Sequence, residues 1–184
     1  MRSTLSYAAS MSDSILPRRV FLDSGVVVAA IIPGSQFSSG CGAFCDRLIA
    51  EGCEVYFSQI LRLELTEAIR KLATIPGRAP ADLYSRFRLN DWDRNPSVRR
   101  QWMHFGVRQF DALLERFAVV YELPFRPPIW LRSVEIMADR QLRSHDAVHL
   151  ATAYEYRLAT FATTDDEFLK VPNLDIRLIR DPAA

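Results

Sequence analysis

Four acidic side chains fall where a carboxylate is expected to do chemistry. Asp23 interrupts an apolar run, Glu64 is flanked by leucines, Asp146 begins a segment of small and apolar residues, and Asp165 follows a short apolar stretch. Carboxylates about 4 Å apart repel by roughly 4 kcal/mol per pair at an effective dielectric of about 20, so a cluster of them needs protons or cations. Hard oxygen ligands without His or Cys favour Mg²⁺ or Mn²⁺. That combination suits hydrolysis of a phosphodiester by activated water.

Three of these acids also have a purely structural interpretation. Asp23 and Asp146 each precede or begin a helical pattern, and Asp is a preferred helix N-cap. Asp165 is the first of three adjacent acids, which are more often a solvated turn than a site. Both interpretations stay open at this point for all three residues.

The helix that carries Glu64 offers a second candidate one turn later, Glu67. Glu67 is followed by Arg70 and Lys71, which favour a surface ion pair, whereas Glu64 has the apolar neighbours. Glu64 is therefore the preferred member, although either glutamate could be solvated.

Alternating strands and helices place these acids relative to one another. Strands are expected at 20–22, 54–58, 118–123, 159–163 and 176–179, and helices at 37–49, 60–72, 102–117, 130–142 and 144–156. This order implies a parallel α/β sheet, whose sites form at the carboxyl ends of the strands. All four acids can converge on that edge.

Composition excludes several classes of protein. The chain has 184 residues, 49% of them hydrophobic, and 23 basic against 22 acidic residues for a formal charge of +1, so no global field steers it to nucleic acid or membrane. No apolar run reaches the length of about 18 residues that a membrane helix needs, and residues 1–14 lack a secretory signal. A cytoplasmic location is expected, and Met11 is an alternative start to Met1. The three cysteines, Cys41, Cys45 and Cys53, fit no zinc spacing and are expected to be packed in the core.

The segment from Arg78 to Arg100 is rich in arginine and aromatic residues. It has six Arg against three Asp, with Tyr84, Phe87 and Trp92 among them. Two hypotheses apply: an RNA path with bases stacked on the aromatic rings, or a solvated excursion with a small aromatic core.

Four stretches of the chain resemble the successive motifs of PIN-domain ribonucleases, especially the toxins of bacterial toxin–antitoxin modules. They are residues 20–24 (VFLDS), 58–65 (SQILRLEL), 144–153 (SHDAVHLATA) and 163–168 (TTDDEF). The resemblance implies a three-layer α/β/α sandwich with a central parallel sheet. It predicts one PIN-like domain at 19–182, after an extension at 1–18, with a helical elaboration at about 74–128.

The resemblance also assigns roles to site residues. It implies that Asp23, Glu64, Asp146 and Asp165 hold Mg²⁺ or Mn²⁺, with Asp165 selected over its neighbour by its spacing to the following aromatic residue. Thr163 matches a hydroxyl position that in this family supports the metal-bound water. His145 and His149 receive no role from the resemblance, and His149 is expected to be packed or hydrogen-bonded.

The function implied is a divalent-metal-dependent endoribonuclease, acting as the toxin of a toxin–antitoxin pair. Its expected partners are an RNA substrate, an antitoxin protein and a second copy of the chain, without a membrane. One alternative is a catalytically silent PIN-like module that binds RNA or protein. Another is an unrelated phosphotransferase with an Asp nucleophile, which would want a second acid where Gly25 stands.

Overall fold

A five-stranded parallel sheet forms the centre of the computed structural model, which describes residues 16–75, 77–172 and 174–179. The strands lie in the order β3-β2-β1-β4-β5, and every neighbouring pair is parallel. Their bounds are β1 Arg19–Leu22, β2 Glu54–Ser58, β3 Val119–Leu123, β4 Thr160–Thr163 and β5 Asp175–Leu178. All five predicted strands are confirmed.

Helices cover both faces of the sheet. Their bounds are α1 Ser24–Ile31, α2 Ser38–Ala50, α3 Ile60–Thr74, α4 Ala81–Arg86, α5 Pro96–Glu115, α6 Pro127–Arg140 and α7 Ser144–Glu155, and two short 3₁₀ segments lie at Leu89–Asp91 and Asp166–Lys170. None of the helices within the described ranges has the length and apolar character needed to cross a bilayer.

Alternation of side chains along the strands divides the core into two halves. Val20 and Leu22 of β1 pack with the face that carries α1, α2, α3 and α5, whereas Phe21 between them packs with α7 on the other face. The same alternation holds for Val55 and Tyr56 in β2. The predicted three-layer α/β/α arrangement is therefore confirmed.

Two helices begin earlier than their apolar periodicity predicts. Helix α5 starts at Pro96 rather than near residue 102, because the Asn95 side chain accepts hydrogen bonds from the backbone N–H groups of Ser97 and Val98 and caps it. Its first turn is mostly exposed, so it lacks an apolar stripe. Helix α6 starts at Pro127 rather than near 130, since proline suits the first turn of a helix.

The segment at 74–128 contributes directly to the sheet and core. It contains α4, α5 and β3, and β3 pairs with β2 along its full length. Trp102 and Phe110 of α5 are buried in the larger core cluster. The domain bounds stay a prediction, and the proposed starts at Met1 and Met11 lie outside the described residues.

Candidate active site

Strand and helix ends bring the predicted site residues to one edge of the sheet. Asp23 directly follows β1, and Thr163 ends β4, the strand beside it. The Thr163 hydroxyl donates a hydrogen bond of 2.8 Å to Oδ2 of Asp23. It also accepts one of 3.0 Å from the backbone N–H of Asp165. The Thr163 hydroxyl thus links Asp23 to the backbone of Asp165.

Asp23 acts as a helix cap and as a buried acid at once. Its Oδ1 accepts a hydrogen bond of 2.8 Å from the backbone N–H of Ser24, at the start of α1. The residue is only 5% exposed. Burial raises the pKa of Asp23, and the neighbouring Glu64 carboxylate raises it further, although His149 and Thr163 oppose the shift.

Glu64 lies in the second turn of α3 and is held by a buried histidine. Nε2 of His149 lies 2.5 Å from Oε2 of Glu64. The other carboxylate oxygen, Oε1, is buried and makes no hydrogen bond to any described residue. Nδ1 of His145 lies 3.9 Å from it. Burial alone would raise the pKa of Glu64, but the His149 hydrogen bond and charge lower it.

Asp146 shows most clearly that the acids share one electrostatic environment. It is the third residue of α7 and is half-buried. Burial raises the pKa of Asp146 to about 6, and the charges of Asp23, Asp165 and Glu64 add to the shift. Like charges that disfavour ionisation of a neighbour must be close to it. The other three predicted acids therefore lie within electrostatic range of Asp146.

Asp165 also combines two interpretations. Its Oδ1 accepts a hydrogen bond of 2.9 Å from the backbone N–H of Glu167 and so caps the short 3₁₀ segment. Its charge nevertheless contributes to the raised pKa of Asp146. Asp166, the alternative acid, is exposed.

The second glutamate of α3 points away from this edge. Glu67 forms ion pairs with Arg70 at 2.7 Å and with Lys71 at 3.7 Å, as its sequence spacing indicates. Glu64 faces the acidic edge instead, three residues earlier. The preference for Glu64 over Glu67 as the member of the cluster agrees with this geometry.

Two buried residues at this edge were not predicted as part of the site. Nδ1 of His149 lies 2.8 Å from the hydroxyl of Ser58, which ends β2. His149 is hydrogen-bonded, as expected, but its contact with Glu64 adds it to the cluster. Its position three residues after Asp146, on the same face of α7, was the available signal. Ser58 carried no signal of its own.

The arginine-rich segment is mostly structural. Phe87 packs against Trp102 and Phe105, with ring centroids 5.2 and 4.8 Å apart, so its face is not available to a base. Arg88 pairs with Asp91 at 2.8 Å, and Arg99 donates to backbone carbonyls before α5. The rings of this segment pack against the larger core cluster, so neither a stacking path nor a solvated excursion with a small core of its own describes it.

A groove of about 610 Å³ opens beside the acidic edge. The end next to the acids is lined by Ser24, Gly25 and Thr164. The first two follow Asp23 in the chain, and Thr164 directly precedes Asp165. A Cβ atom at Gly25 would collide with the Thr164 hydroxyl, so glycine keeps this end open. Arg78 is the one arginine of the predicted path that lines the groove.

Comparison with known families assigns the chain. The family model of the PIN domain matches residues 20–174, which include β2, β3, β4 and nearly all of β1 and end just before β5. The protein belongs to the PIN-domain family. A comparison of the sequence with curated proteins finds no significant match.

Solved structures share the fold of this PIN domain at low sequence identity. VapBC2 from Rickettsia felis, solved with a promoter DNA fragment, is 14% identical, with a TM-score of 0.57 over 88% of this chain and 98% of that one. FitAcB from Neisseria gonorrhoeae is 21% identical, with a TM-score of 0.55 over 86% and 96%. VapC20 from Mycobacterium tuberculosis, a Sarcin-Ricin loop cleaving toxin, is 16% identical, with a TM-score of 0.55 over 86% and 98%.

The acids of this PIN domain suit a divalent cation by their chemistry. All four offer hard oxygen atoms, one oxygen of Glu64 is buried without a hydrogen-bond partner, and Asp146 resists ionisation beside the others. Within the described residues, no three carboxylate, imidazole or thiol side chains lie close enough together to hold an ion as they stand. His149 and Thr163 each occupy a carboxylate oxygen of the cluster.

Proposed function

We propose that this PIN domain is an endoribonuclease that depends on Mg²⁺ or Mn²⁺, with Asp23, Glu64, Asp146 and Asp165 as the metal-binding residues. The observation that carries the proposal is the position of Asp146 at this sheet edge, where burial first, and then the charges of Asp23, Asp165 and Glu64, raise its pKa to about 6. Such a cluster is relieved when a cation binds, because the cation stabilises the ionised carboxylates.

The metal ion, when bound, supplies a Lewis acid that activates water and neutralises charge on the scissile phosphate. The chain's own residues prepare the site for it. Thr163 fixes the orientation of the Asp23 carboxylate by donating to Oδ2, and the backbone N–H of Asp165 fixes Thr163 in turn. These hydrogen bonds hold the reacting edge rigid, so that little reorganisation is required when the substrate arrives.

The groove beside the acids is proposed as the path of the RNA strand. It begins at Ser24 and Thr164, next to the reacting edge, and Arg78 lines it farther out. A guanidinium binds a phosphate by a planar pair of N–H groups, so Arg78 suits the backbone of a flanking nucleotide. Backbone contacts of this kind hold a strand in place without reading its sequence.

We propose that the protein acts as a toxin and is silenced by an antitoxin. The structural relatives from Rickettsia felis and Neisseria gonorrhoeae support this, since they were solved as toxin–antitoxin complexes. Exposed apolar side chains on α6, at Trp130, Leu131 and Val134, support a protein interface. We also propose a homodimer, which light scattering of the purified chain would measure, and a cytoplasmic location.

RNA cleavage by purified protein tests the proposed function. The wild type is assayed on structured and single-stranded RNA with Mg²⁺ or Mn²⁺, beside an EDTA control and the Asp146→Asn variant. Asp139→Asn, on the exposed face of α6, is the matched control. We expect Asp146→Asn to lose at least about 100-fold in rate, the upper end of the cost of losing an outer partner of a metal ligand. Activity that survives both EDTA and Asp146→Asn would exclude the metal mechanism. Binding without cleavage of any RNA would favour a silent module.

A further inference from the structure

We infer that His149 and Ser58 form a positioning pair that holds Oε2 of Glu64 and leaves Oε1 as the oxygen that faces a bound cation. The inference rests on the proposed function and extends it to two residues outside the four acids. It assigns neither residue to contact with the metal or the RNA. Both act through Glu64.

The His149 ring is held on several sides. It is 0% exposed, Ser58 is 2% exposed, and Phe21 of β1 meets the ring edge-on with centroids 5.9 Å apart. Nδ1 lies 2.8 Å from the Ser58 hydroxyl, and Nε2 lies 2.5 Å from Oε2 of Glu64. A ring fixed by packing and by contacts at both nitrogens has one orientation, and it transmits that orientation to the carboxylate.

The arrangement holds in both protonation states of the ring. When both nitrogens carry protons, Nδ1 donates to the Ser58 oxygen and Nε2 donates to Glu64. When the ring is neutral, the Ser58 hydroxyl turns and donates to Nδ1, so that the proton stays on Nε2 and still faces Glu64. A hydroxyl is suited to this position because it both donates and accepts.

His149 serves Glu64 and not the other nearby acid. Its Nε2 is 3.9 Å from Oδ1 of Asp23, which is too long for a hydrogen bond, and Asp23 is held separately by Ser24 and Thr163. Of the two carboxylates, only Glu64 thus has a hydrogen bond to His149, although the charge of the ring also acts on Asp23. Removal of the His149 contact is therefore expected to release the Glu64 carboxylate and to leave the hydrogen bonds of Asp23 in place.

The second oxygen of Glu64 indicates what the support is for. Oε1 is buried and accepts no hydrogen bond from the described residues. A buried acceptor without a partner destabilises the folded state, and more so when it is charged. Because His149 holds Oε2, the carboxylate cannot turn to relieve Oε1 without breaking that bond. A cation at the acidic edge supplies the missing partner.

Mn²⁺ affinity of full-length protein without RNA tests the inference, measured by the loss of the free Mn²⁺ signal in electron paramagnetic resonance. His149→Asn keeps a polar group near Ser58 but does not reach Glu64, whereas His149→Gln places an amide N–H near the position of Nε2. We expect the Asn variant to bind Mn²⁺ about 10- to 100-fold more weakly, as for other supports of metal ligands. The Gln variant should recover most of the affinity. Ser58→Ala should weaken binding in the same direction by less.

The outcomes separate this inference from the proposed function. Equal losses of Mn²⁺ affinity in the His149→Asn and His149→Gln variants, or no loss in either, would overturn the positioning pair. If Asp146→Asn abolishes Mn²⁺ binding in the same series, the proposed function still stands. If the wild type binds no Mn²⁺ and cleaves no RNA, both proposals fall. Thermal unfolding of each variant reports whether it is folded. Should His149→Asn not fold, Ser58→Ala decides, and an unchanged affinity in that variant overturns the inference.

Discussion

Helix α3 passes from the acidic edge at its N-terminal end to an aromatic cluster in its C-terminal half, and the two ends are stabilised by opposite means. At the first end, Glu64 lies beside three other acids and leaves one buried oxygen without a partner. At the second, the carbonyl of Ile69 accepts a hydrogen bond of 2.7 Å from the indole of Trp102, which is fully buried. One end holds like charges together, and the other satisfies its buried polar groups.

This difference shows how the fold tolerates an unfavourable site. The aromatic cluster of Phe87, Trp102 and Phe105 packs against the same helix that presents Glu64. Buried rings contribute large apolar areas and favourable edge contacts. A well-packed half of the helix therefore offsets the repulsion at the other half. Substitutions in the aromatic cluster and at Asp146 of the acidic edge should differ in sign, which the following predictions test in order of decreasing effect.

Trp102→Ala should produce the largest loss of stability. Removal of the indole leaves a cavity beside Phe87 and Phe105 and leaves the Ile69 carbonyl without its donor. We expect the free energy of unfolding to fall by about 3–5 kcal/mol, measured by urea denaturation. Trp130→Ala is the matched control, because that ring is 54% exposed. A similar loss in both variants would contradict the central role given to the aromatic cluster.

Gly106→Ala should be the next largest change, because Ile69 of α3 packs directly against Gly106 of α5. A Cβ atom there would collide with the side chain of Ile69. We expect the free energy of unfolding to fall by about 1–3 kcal/mol. Gly42→Ala in α2, where a Cβ atom meets nothing within 4 Å, should instead stabilise the protein, by up to about 1 kcal/mol. Stabilisation in both variants would show that the two helices separate freely.

Asp146→Asn should stabilise the metal-free protein, in contrast to both substitutions above. The pKa of Asp146 is about 6 in the folded state and near 3.8 when the chain is unfolded, so the folded state binds more protons between these values. Stability from this group is complete below the lower value and is lost as the pH rises through about 6. At pH 7.5 the free energy of unfolding of the variant should exceed that of the wild type by about 1–2 kcal/mol, after a discount for the exposed part of the side chain.

Three measurements qualify that prediction. Urea denaturation in EDTA at pH 5 and pH 7.5 should show the gain mainly at the higher pH. Added Mg²⁺ should stabilise the wild type by binding to the folded state and should have little effect on the variant. The exposed Asp93→Asn variant should change stability by less than about 0.5 kcal/mol at both pH values. Destabilisation of Asp146→Asn at pH 7.5 would mean that the acids do not repel one another.

The contrast between the two ends also explains what was predictable from sequence. Strand β1 and helix α3 have strong local patterns, and both are confirmed within one or two residues. The starts of α5 and α6 were missed because a cap or a proline defines each of them, and not an apolar stripe. The arginine-rich segment misled for a related reason: whether a ring such as Phe87 stacks on a base or on Trp102 depends on tertiary packing.

The candidate site was predictable only in its charged members. A carboxylate inside an apolar stretch, as at Asp23, is visible in sequence because it contradicts its surroundings. Ser58 does not contradict its surroundings in this way, because a serine at a strand end is ordinary. A histidine in a buried helix is ordinary too, so His149 had only its spacing to Asp146 as a signal. Their significance lies in two distances, 2.8 Å to each other and 2.5 Å from His149 to Glu64, across 91 and 85 residues of chain.

Glu67→Gln should have the smallest effect of all and compares two glutamates on neighbouring turns of α3. Glu67 is paired with Arg70 and Lys71 on the exposed face, where ion pairs contribute little. We expect this variant to bind Mn²⁺ and to cleave RNA as the wild type does. Glu64→Gln, one turn earlier, should lose Mn²⁺ binding, because it replaces a carboxylate that we propose as a metal ligand and whose Oε1 is buried without a hydrogen-bond partner. Loss of Mn²⁺ binding in Glu67→Gln with normal binding in Glu64→Gln would place the metal at the next turn of α3, and the assignment of Glu64 to the acidic edge would then be wrong.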